Sequence, residues 1–212
     1  GFLIAILGKP NAGKSTLISR CSAARPKIAD YPFTTIEPVL GVVGVHDTSF
    51  VMMEVPGLIE GAHDGVGLGD QFLRHAERAR VYIHLLDGLS DDPIADYLMI
   101  NEELRQFSPD LAQKPQILAV NKIDVTEVHQ KRYEIERLLG QVTDGKPSVF
   151  FISAVTGEGI EELLSHTLLN IEETKRFEST QKESVPDDDI MPVFKAPRRP
   201  IKPTTITQDN GM

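Results

Sequence analysis

Short apolar runs alternate with stretches of helical periodicity along residues 2–172. The apolar runs predict six strands, over residues 2–7, 39–45, 50–55, 81–86, 116–120 and 149–152. Helical patterns follow most of them, over residues 13–21, 68–79, 93–107, 127–139 and 159–172. This alternation predicts an α/β fold, in which helices cover both faces of a six-stranded, mostly parallel sheet and the crossovers are right-handed.

The composition changes after residue 172. Residues 173–202 are rich in Lys, Glu, Ser, Asp and Pro. Such a stretch has too few apolar side chains to bury, so we interpret it as a flexible linker. The whole chain has 212 residues, 41% of them hydrophobic, which is enough for one domain of ordinary size with a real core.

Charge and cysteine content exclude several classes of protein. The net charge of −9 argues against binding to nucleic acid by bulk electrostatics. The single cysteine, Cys21, rules out an internal disulfide and fits a reducing compartment. No run of residues approaches the roughly 18 apolar residues of a membrane span. We therefore expect no membrane partner.

The first candidate site is the loop at residues 8–15, which reads Gly-Lys-Pro-Asn-Ala-Gly-Lys-Ser between a predicted strand and a predicted helix. In this context backbone N–H groups and the helix N-terminus converge on a phosphate. Lys14 can pair with the β and γ phosphates, and the Ser15 hydroxyl can ligate Mg²⁺. The alternative is a glycine-rich turn that binds nothing. The predicted phosphate-binding residues are Gly8, Lys9, Pro10, Asn11, Ala12, Gly13, Lys14, Ser15 and Thr16.

A second motif, Asn-Lys-Ile-Asp at residues 121–124, follows another apolar strand and predicts that the base is guanine. The Asp124 carboxylate can accept from guanine N1–H and from the exocyclic amine. With adenine this carboxylate would be left unpaired, at a cost of about 1–3 kcal/mol in binding free energy. The motif therefore disfavours an ATP-driven enzyme. Asn121 can bond the other edge of the purine, and Lys122 can lay its stem on the ring beside Ile123. Alone, the motif could be a solvated turn.

A third element lies at the end of the last predicted strand. Ser153, Ala154 and Val155 follow it directly. From this position the Ala154 N–H could donate to guanine O6. An ordinary strand end is the alternative interpretation.

Together with several further segments, these motifs show that the chain resembles the G domain of the Obg family of ribosome-associated GTPases. The similarity covers about residues 1–171. The segments that carry it are Tyr-Pro-Phe-Thr-Thr at 31–35, Gly-Val-Val at 41–43, Val-Pro-Gly-Leu-Ile-Glu-Gly-Ala-His at 55–63, Gly-Val-Gly-Leu-Gly at 65–69, Phe-Leu-Arg-His at 72–75, Asp-Pro-Ile at 92–94, Asp-Tyr at 96–97 and Asn-Glu-Glu-Leu at 101–104.

The resemblance implies a three-layer P-loop NTPase of the Ras-like type that hydrolyses GTP to GDP and phosphate. It also implies that the nucleotide state controls association with the large ribosomal subunit during assembly. Residues 1–172 would be the G domain, 173–202 the linker and 203–212 the start of a truncated C-terminal domain. Relatives also carry a Gly-rich N-terminal domain, so we interpret the chain as an excised fragment. We expect a cytoplasmic monomer whose ribosomal contact is made largely by the missing parts.

The resemblance also assigns the switch residues. Thr35 would bring its hydroxyl to Mg²⁺ and its N–H to the γ phosphate. Thr34 is the alternative candidate for this role, and Phe33 lies next to it in the nucleotide-binding segment. Gly57, after Val55 and Pro56, would donate its N–H to the γ phosphate. The predicted catalytic residues are Lys14, Thr35, Gly57 and Asn11. The predicted metal ligands are Ser15, Thr35 and Glu54, the last directly or through water.

Glu54 departs from the family pattern, which has Asp at this position. The extra methylene moves the carboxylate about one bond length further, and Mg²⁺ demands near-ideal octahedral geometry. Either Glu54 uses a different rotamer, or metal affinity and hydrolysis fall. The second outcome would make the chain a guanine-nucleotide-sensing module that hydrolyses little.

Leu58 follows Gly57, where Ras-like enzymes have a glutamine that orients the attacking water. Hydrolysis would then depend on positioning and cation charge, at about 10⁻⁴ to 10⁻² s⁻¹. Related GTPases with this combination use an Asn in the phosphate loop to hold K⁺. We therefore consider Asn11 a candidate K⁺ ligand, and the alternative is that it only braces the loop.

Overall fold

A computed structural model of the chain describes residues 2–23, 27–28, 39–55, 76–143 and 145–183. Within these ranges it has seven strands: β1 (Phe2–Leu7), β2 (Lys27–Ile28), β3 (Val39–Val45), β4 (Thr48–Glu54), β5 (Val81–Asp87), β6 (Gln116–Asn121) and β7 (Val149–Phe151). The main helices are α1 (Lys14–Cys21), α2 (Pro93–Phe107), α3 (Pro109–Ala112), α4 (Thr126–Val142) and α5 (Ile160–Glu183).

The strands form one sheet in the order β2-β3-β4-β1-β5-β6-β7. Strands β4, β1, β5, β6 and β7 run parallel to one another, and β3 is antiparallel to both β4 and β2. The α/β prediction is therefore confirmed, with all six predicted strands present. The seventh strand, β2, was not predicted because two residues are too few to show a periodicity.

The hydrophobic core lies on both faces of the sheet because β1 alternates its side chains between them. Ile4 and Ile6 face a cluster that includes Leu17 of α1 and Leu163 of α5. Ala5 and Leu7 face the opposite cluster, which is built with α2. A third cluster packs α4 on β6 and β7. The centre of the sheet is thus buried on both sides, as parallel strands require.

One helix differs from prediction, and another lies mostly outside the described residues. Helix α5 runs to Glu183 instead of ending at residue 172, since residues 160–185 contain neither Gly nor Pro and are rich in helix formers. It therefore enters the stretch interpreted as a linker; residues 184–202 lie outside the described part. Of the helix predicted at 68–79, only residues 76–78 are described as helical. Among the described helices, none has the length and apolar character to cross a membrane.

A buried histidine sits on the strand next to the one that leads into the phosphate loop. His84 of β5 pairs in register with Leu7 and is fully buried. Its Nδ1 lies 3.3 Å from Gln116 Oε1, its ring is 5.1 Å from that of Tyr97, and its Nε2 has no hydrogen-bond partner. Burial lowers the pKa of His84 from 6.5 to about 4, although Gln116 and the Asp96 charge act in the opposite direction.

We expect His84 to make the fold acid-sensitive. Its folded pKa is below the unfolded value, so the unfolded chain binds more protons between pH 6.5 and 4, and stability falls as pH falls through this window. From about pH 7 to about pH 5 the loss due to His84 should be about 2 kcal/mol. Urea unfolding of His84→Phe should show a pH dependence weaker by that amount. The control His129→Gln, on an exposed residue of α4, should retain the wild-type dependence; equal dependence in both variants would contradict the assignment.

Candidate functional site

The phosphate loop connects β1 to α1 in a conformation that only glycine tolerates at two positions. Gly8 has φ 155° and Gly13 has φ 99°. A Cβ on Gly8 would lie 2.4 Å from the Leu85 carbonyl oxygen, and one on Gly13 would lie 2.3 Å from Asn121 Nδ2. Both contacts are too short for a side chain. The two glycines therefore let the loop pass directly against its neighbours.

Lys14, the first residue of α1, is folded over this loop. Its side chain is 4% exposed, and its Nζ donates to the carbonyl oxygens of Gly8 and Lys9 at 3.0 Å each. Glu54 Oε1 lies 3.8 Å from this Nζ. The loop backbone thus holds the ammonium charge at the place where the sequence predicts phosphates.

Ser15 and Glu54 meet beside Lys14. Ser15 Oγ donates to Glu54 Oε2 at 2.6 Å. Glu54 ends β4 and pairs in register with Ile6 of β1, which brings its carboxylate to the start of α1. A hydroxyl and a carboxylate are hard oxygen donors of the kind that Mg²⁺ prefers, so these residues fit the expected ion. Elsewhere in the described ranges, no group of three or more His, Cys, Asp or Glu could hold a metal.

Asn121 connects the phosphate loop to the last loop of the site. Its side chain is 3% exposed. Nδ2 donates to the Ala12 carbonyl at 2.8 Å, and Oδ1 accepts from the Ala154 N–H at 2.9 Å. The sequence predicted that Asn121 bonds the purine and that the Ala154 N–H reaches guanine O6. In the structure these two groups bond each other, so a purine contact would have to be shared with this bond.

The remaining residues of the predicted guanine motif are arranged around Asn121. Lys122 has φ 73°, and its Nζ pairs with Asp87 Oδ2 at 2.6 Å. The Ile123 N–H donates to the Ile152 carbonyl at 3.1 Å, which joins the two base loops. Asp124 is exposed at the same edge of the sheet. Its carboxylate is therefore accessible to a ligand.

The loop after β7 is braced internally. The Ser153 side chain is fully buried, and its Oγ accepts from the Thr156 N–H at 3.0 Å. The Ser153 carbonyl accepts from the Gly157 N–H at 2.8 Å. Val155, next to Ala154, is 70% exposed. The loop therefore presents an exposed tip on a fixed base.

The structure also describes the positions of several other residues that the sequence predicts to bind the nucleotide. Pro10 is half-buried, and Asn11 and Thr16 are exposed. Asn11 has φ 65°, a conformation that Asn tolerates better than most residues, which gives it a local structural reason to be here. Val55 is buried, and its N–H donates to the Ile6 carbonyl at 3.0 Å. Outside the described residues lie Phe33, Thr34, Thr35, Pro56, Gly57 and Leu58, whose assignments stay predictions.

Two acidic residues at the site were missed by sequence reasoning. Asp87 holds Lys122, and Asp96 of α2 pairs with Lys9 Nζ at 2.7 Å while accepting from Ser90 Oγ at 2.6 Å. Asp87 ends a buried parallel strand, which is where such sheets bind ligands, and this signal could have found it. Asp96 lies within a helix, in a segment that matches the family pattern, but sequence reasoning assigned it no role at the site.

The sequence model of a family described as 50S ribosome-binding GTPase matches residues 3–122. A protein called GTPase Obg from Anaeromyxobacter sp. strain K is 58% identical over 165 residues, covering 76% of this chain and 46% of the relative. GTPase Obg from Dehalococcoides mccartyi strain 195 is 47% identical over 195 residues, covering 92% and 45%. The chain thus spans less than half the length of these relatives.

Solved structures share the fold. The G domain of the T. maritima FeoB iron transporter superimposes with a TM-score of 0.60 at 26% identity, covering 80% of this chain and 98% of that one. A variant of Aquifex aeolicus Era bound to GDP and AlF4⁻ superimposes with a TM-score of 0.56 at 27% identity, covering 79% and 56%.

Replacing Asn121 should weaken the fold as well as the site. Asn121→Ala leaves the buried Ala12 carbonyl and Ala154 N–H without their partner, and we expect a loss of roughly 3 kcal/mol in the free energy of unfolding, measured with urea. The control Asn170→Ala removes a half-buried amide that bonds only the His166 carbonyl within one helix. A loss for Asn121→Ala no larger than that for the control would contradict the bridging role.

Proposed function

Because the chain belongs to the family of 50S ribosome-binding GTPases and has a G domain of the Obg type, we propose that it is a Mg²⁺-dependent switch that hydrolyses GTP to GDP and phosphate. The observation that carries this proposal is the Asn121 side chain, which fixes the phosphate loop at Ala12 to the base loop at Ala154. One ligand with phosphates at one end and guanine at the other would span both loops.

At the phosphate end, the chain supplies charge and fixed donors. Lys14 holds its ammonium over the loop, where it would pair with the β and γ phosphates. Ser15 and Glu54 would hold Mg²⁺ once the hydrogen bond between their side chains opens. Thr35 would be the third ligand, as the family resemblance implies. Bound Mg²⁺ would neutralise the charge that develops on the phosphates. Gly13 lets the backbone approach because it has no Cβ.

At the base end, selectivity would come from Asp124. Its exposed carboxylate can accept from guanine N1–H and from the exocyclic amine. Adenine does not present this pair of donors. The ion pair with Asp87 fixes the Lys122 stem at the site, where it would cover the face of the base. Asn121 contributes by holding the loops in place.

Hydrolysis itself would be slow, since Leu58 cannot orient water as a glutamine does. We propose that K⁺ beside Asn11 supplies part of the missing positive charge. Support comes from the exposure of Asn11 at the tip of the loop. Its left-handed backbone conformation fits equally well with a residue that only shapes the loop.

We propose that the nucleotide state controls binding to the large ribosomal subunit during its assembly in the cytoplasm. The support is the family description and the similarity to the Obg relatives. With a net charge of −9, the chain has no bulk attraction for RNA phosphates. The contact would therefore be local, or made by regions of the relatives that this chain does not span.

A second candidate function is a binding switch that senses guanine nucleotides and hydrolyses little. The contact between Ser15 and Glu54 favours it, because in this structure the two expected metal ligands satisfy each other directly. If the longer Glu54 side chain kept this contact with nucleotide bound, the ion would be poorly held and hydrolysis would fall.

The purified chain with Mg²⁺ should hydrolyse GTP and not ATP, at about 10⁻⁴ to 10⁻² s⁻¹, and faster in KCl than in matched NaCl. Asp124→Asn should lower turnover of GTP and raise turnover of XTP, a change that a contaminating GTPase would not follow. Equal rates in the two salts would remove K⁺ from the proposal. Failure to bind GTP would overturn it altogether.

Glu54→Asp separates the two candidate functions. We expect hydrolysis to change less than about threefold, since Glu54 already reaches the Ser15 hydroxyl and either carboxylate can meet the ion directly or through water. The measurement is single-turnover GTP hydrolysis with saturating Mg²⁺. The control Glu127→Asp shortens an exposed carboxylate on α4 that pairs with Lys131. A gain above about tenfold for Glu54→Asp alone would favour the binding switch.

A further inference from the structure

The far end of α1 touches the guanine loop. Arg20 lies in the last turn of this helix, and its Nη2 donates to the Thr156 carbonyl at 2.6 Å. The two residues are 136 positions apart in the sequence. Because α1 begins at Lys14, a single helix has the phosphate loop at its start and the base loop at its end.

The guanidinium also lies close to the backbone of the next residue, Gly157. Gly157 has φ 94°, and a Cβ built there would be 2.8 Å from Arg20 Nη2 and 3.1 Å from its Nε. The space that a side chain would need is taken by Arg20. This close approach is independent of the hydrogen bond to Thr156, and both contacts place the guanidinium on the same short segment.

This segment is rigidly connected to the predicted base contact. Thr156 and Gly157 both donate their N–H groups to Ser153, one to Oγ and one to the carbonyl oxygen. Ser153 precedes Ala154, whose N–H is bonded to Asn121. The loop is therefore held at two places, by Asn121 from inside the protein and by Arg20 from its surface.

We propose that Arg20 is a positioning residue for guanine recognition, acting through Thr156 to hold the loop at residues 153–155 against the base. The proposal rests on the proposed function, since it requires a guanine nucleotide in the site. Among the described residues, the contacts of the Arg20 guanidinium are with Thr156 and Gly157, and not with the phosphate loop, Ser15 or Glu54. Loss of its contact should therefore weaken GTP and GDP equally and leave the hydrolysis of bound GTP unchanged.

Arg20→Met keeps the length and apolar stem of the side chain and removes its donors. We expect it to raise the dissociation rate constant of a fluorescent GDP about tenfold, as for a lost hydrogen bond from a charged group. The equilibrium Kd values of GTP and GDP should rise by the same factor, and the single-turnover rate of GTP hydrolysis should stay within about twofold of wild type. Arg20→Lys, which keeps a cationic donor, should recover part of the loss.

Arg137→Met is the matched control, because Arg137 is exposed on α4. It should leave the dissociation rate unchanged. A wild-type chain that does not bind GDP would overturn the proposed function itself. A wild-type chain that binds GDP, with Arg20→Met dissociating at the same rate, would overturn the positioning role alone. A drop in hydrolysis with unchanged dissociation, or a fall in the unfolding midpoint without any change in nucleotide kinetics, would also overturn it.

Discussion

The amide of Asn121 is the interaction on which the geometry of the site depends. It lies at the end of the sixth strand and bonds the phosphate loop with one atom and the base loop with the other. A buried amide that is satisfied at both ends rigidifies its surroundings, whereas one that loses a partner is strongly unfavourable. The same amide lies so close to Gly13 that no other residue fits there. The spacing between the two halves of the site therefore depends on this side chain.

Cations around this bridge are each held by a nearby acceptor. Lys9 and Lys122 pair with Asp96 and Asp87, and Lys14 is held by loop carbonyls. Partly buried charges keep their positions only when such partners compensate for lost hydration. An acidic chain thereby carries three lysines at the edge where an anionic ligand is expected. Local pairing, and not the net charge of −9, decides what this edge can bind.

The strands and the two main motifs could be predicted because their signals are local. Apolar runs mark buried parallel strands, and the glycines of the phosphate loop report a backbone that excludes side chains. Contacts such as Lys9 with Asp96, 87 residues apart, leave no mark in either segment alone. The bond between Asn121 and Ala154 was missed for a related reason: both were assigned to a ligand, and the sequence does not show that they are neighbours. Helix α5 extends beyond its predicted end because a composition typical of a linker is also compatible with a helix.

Strand β1 is the central strand of the described sheet, and both of its partners follow it in the chain, which matters during synthesis. Strand β1 pairs with β4 and β5, which begin at Thr48 and Val81. Until Asp87 has emerged, one edge of an apolar strand stays open on the growing chain, and open edges pair readily with other strands. The hairpin of β3 and β4, closed by only His46 and Asp47, can form earlier and cover the first edge. During translation this domain therefore depends on a small early hairpin to shield its own centre.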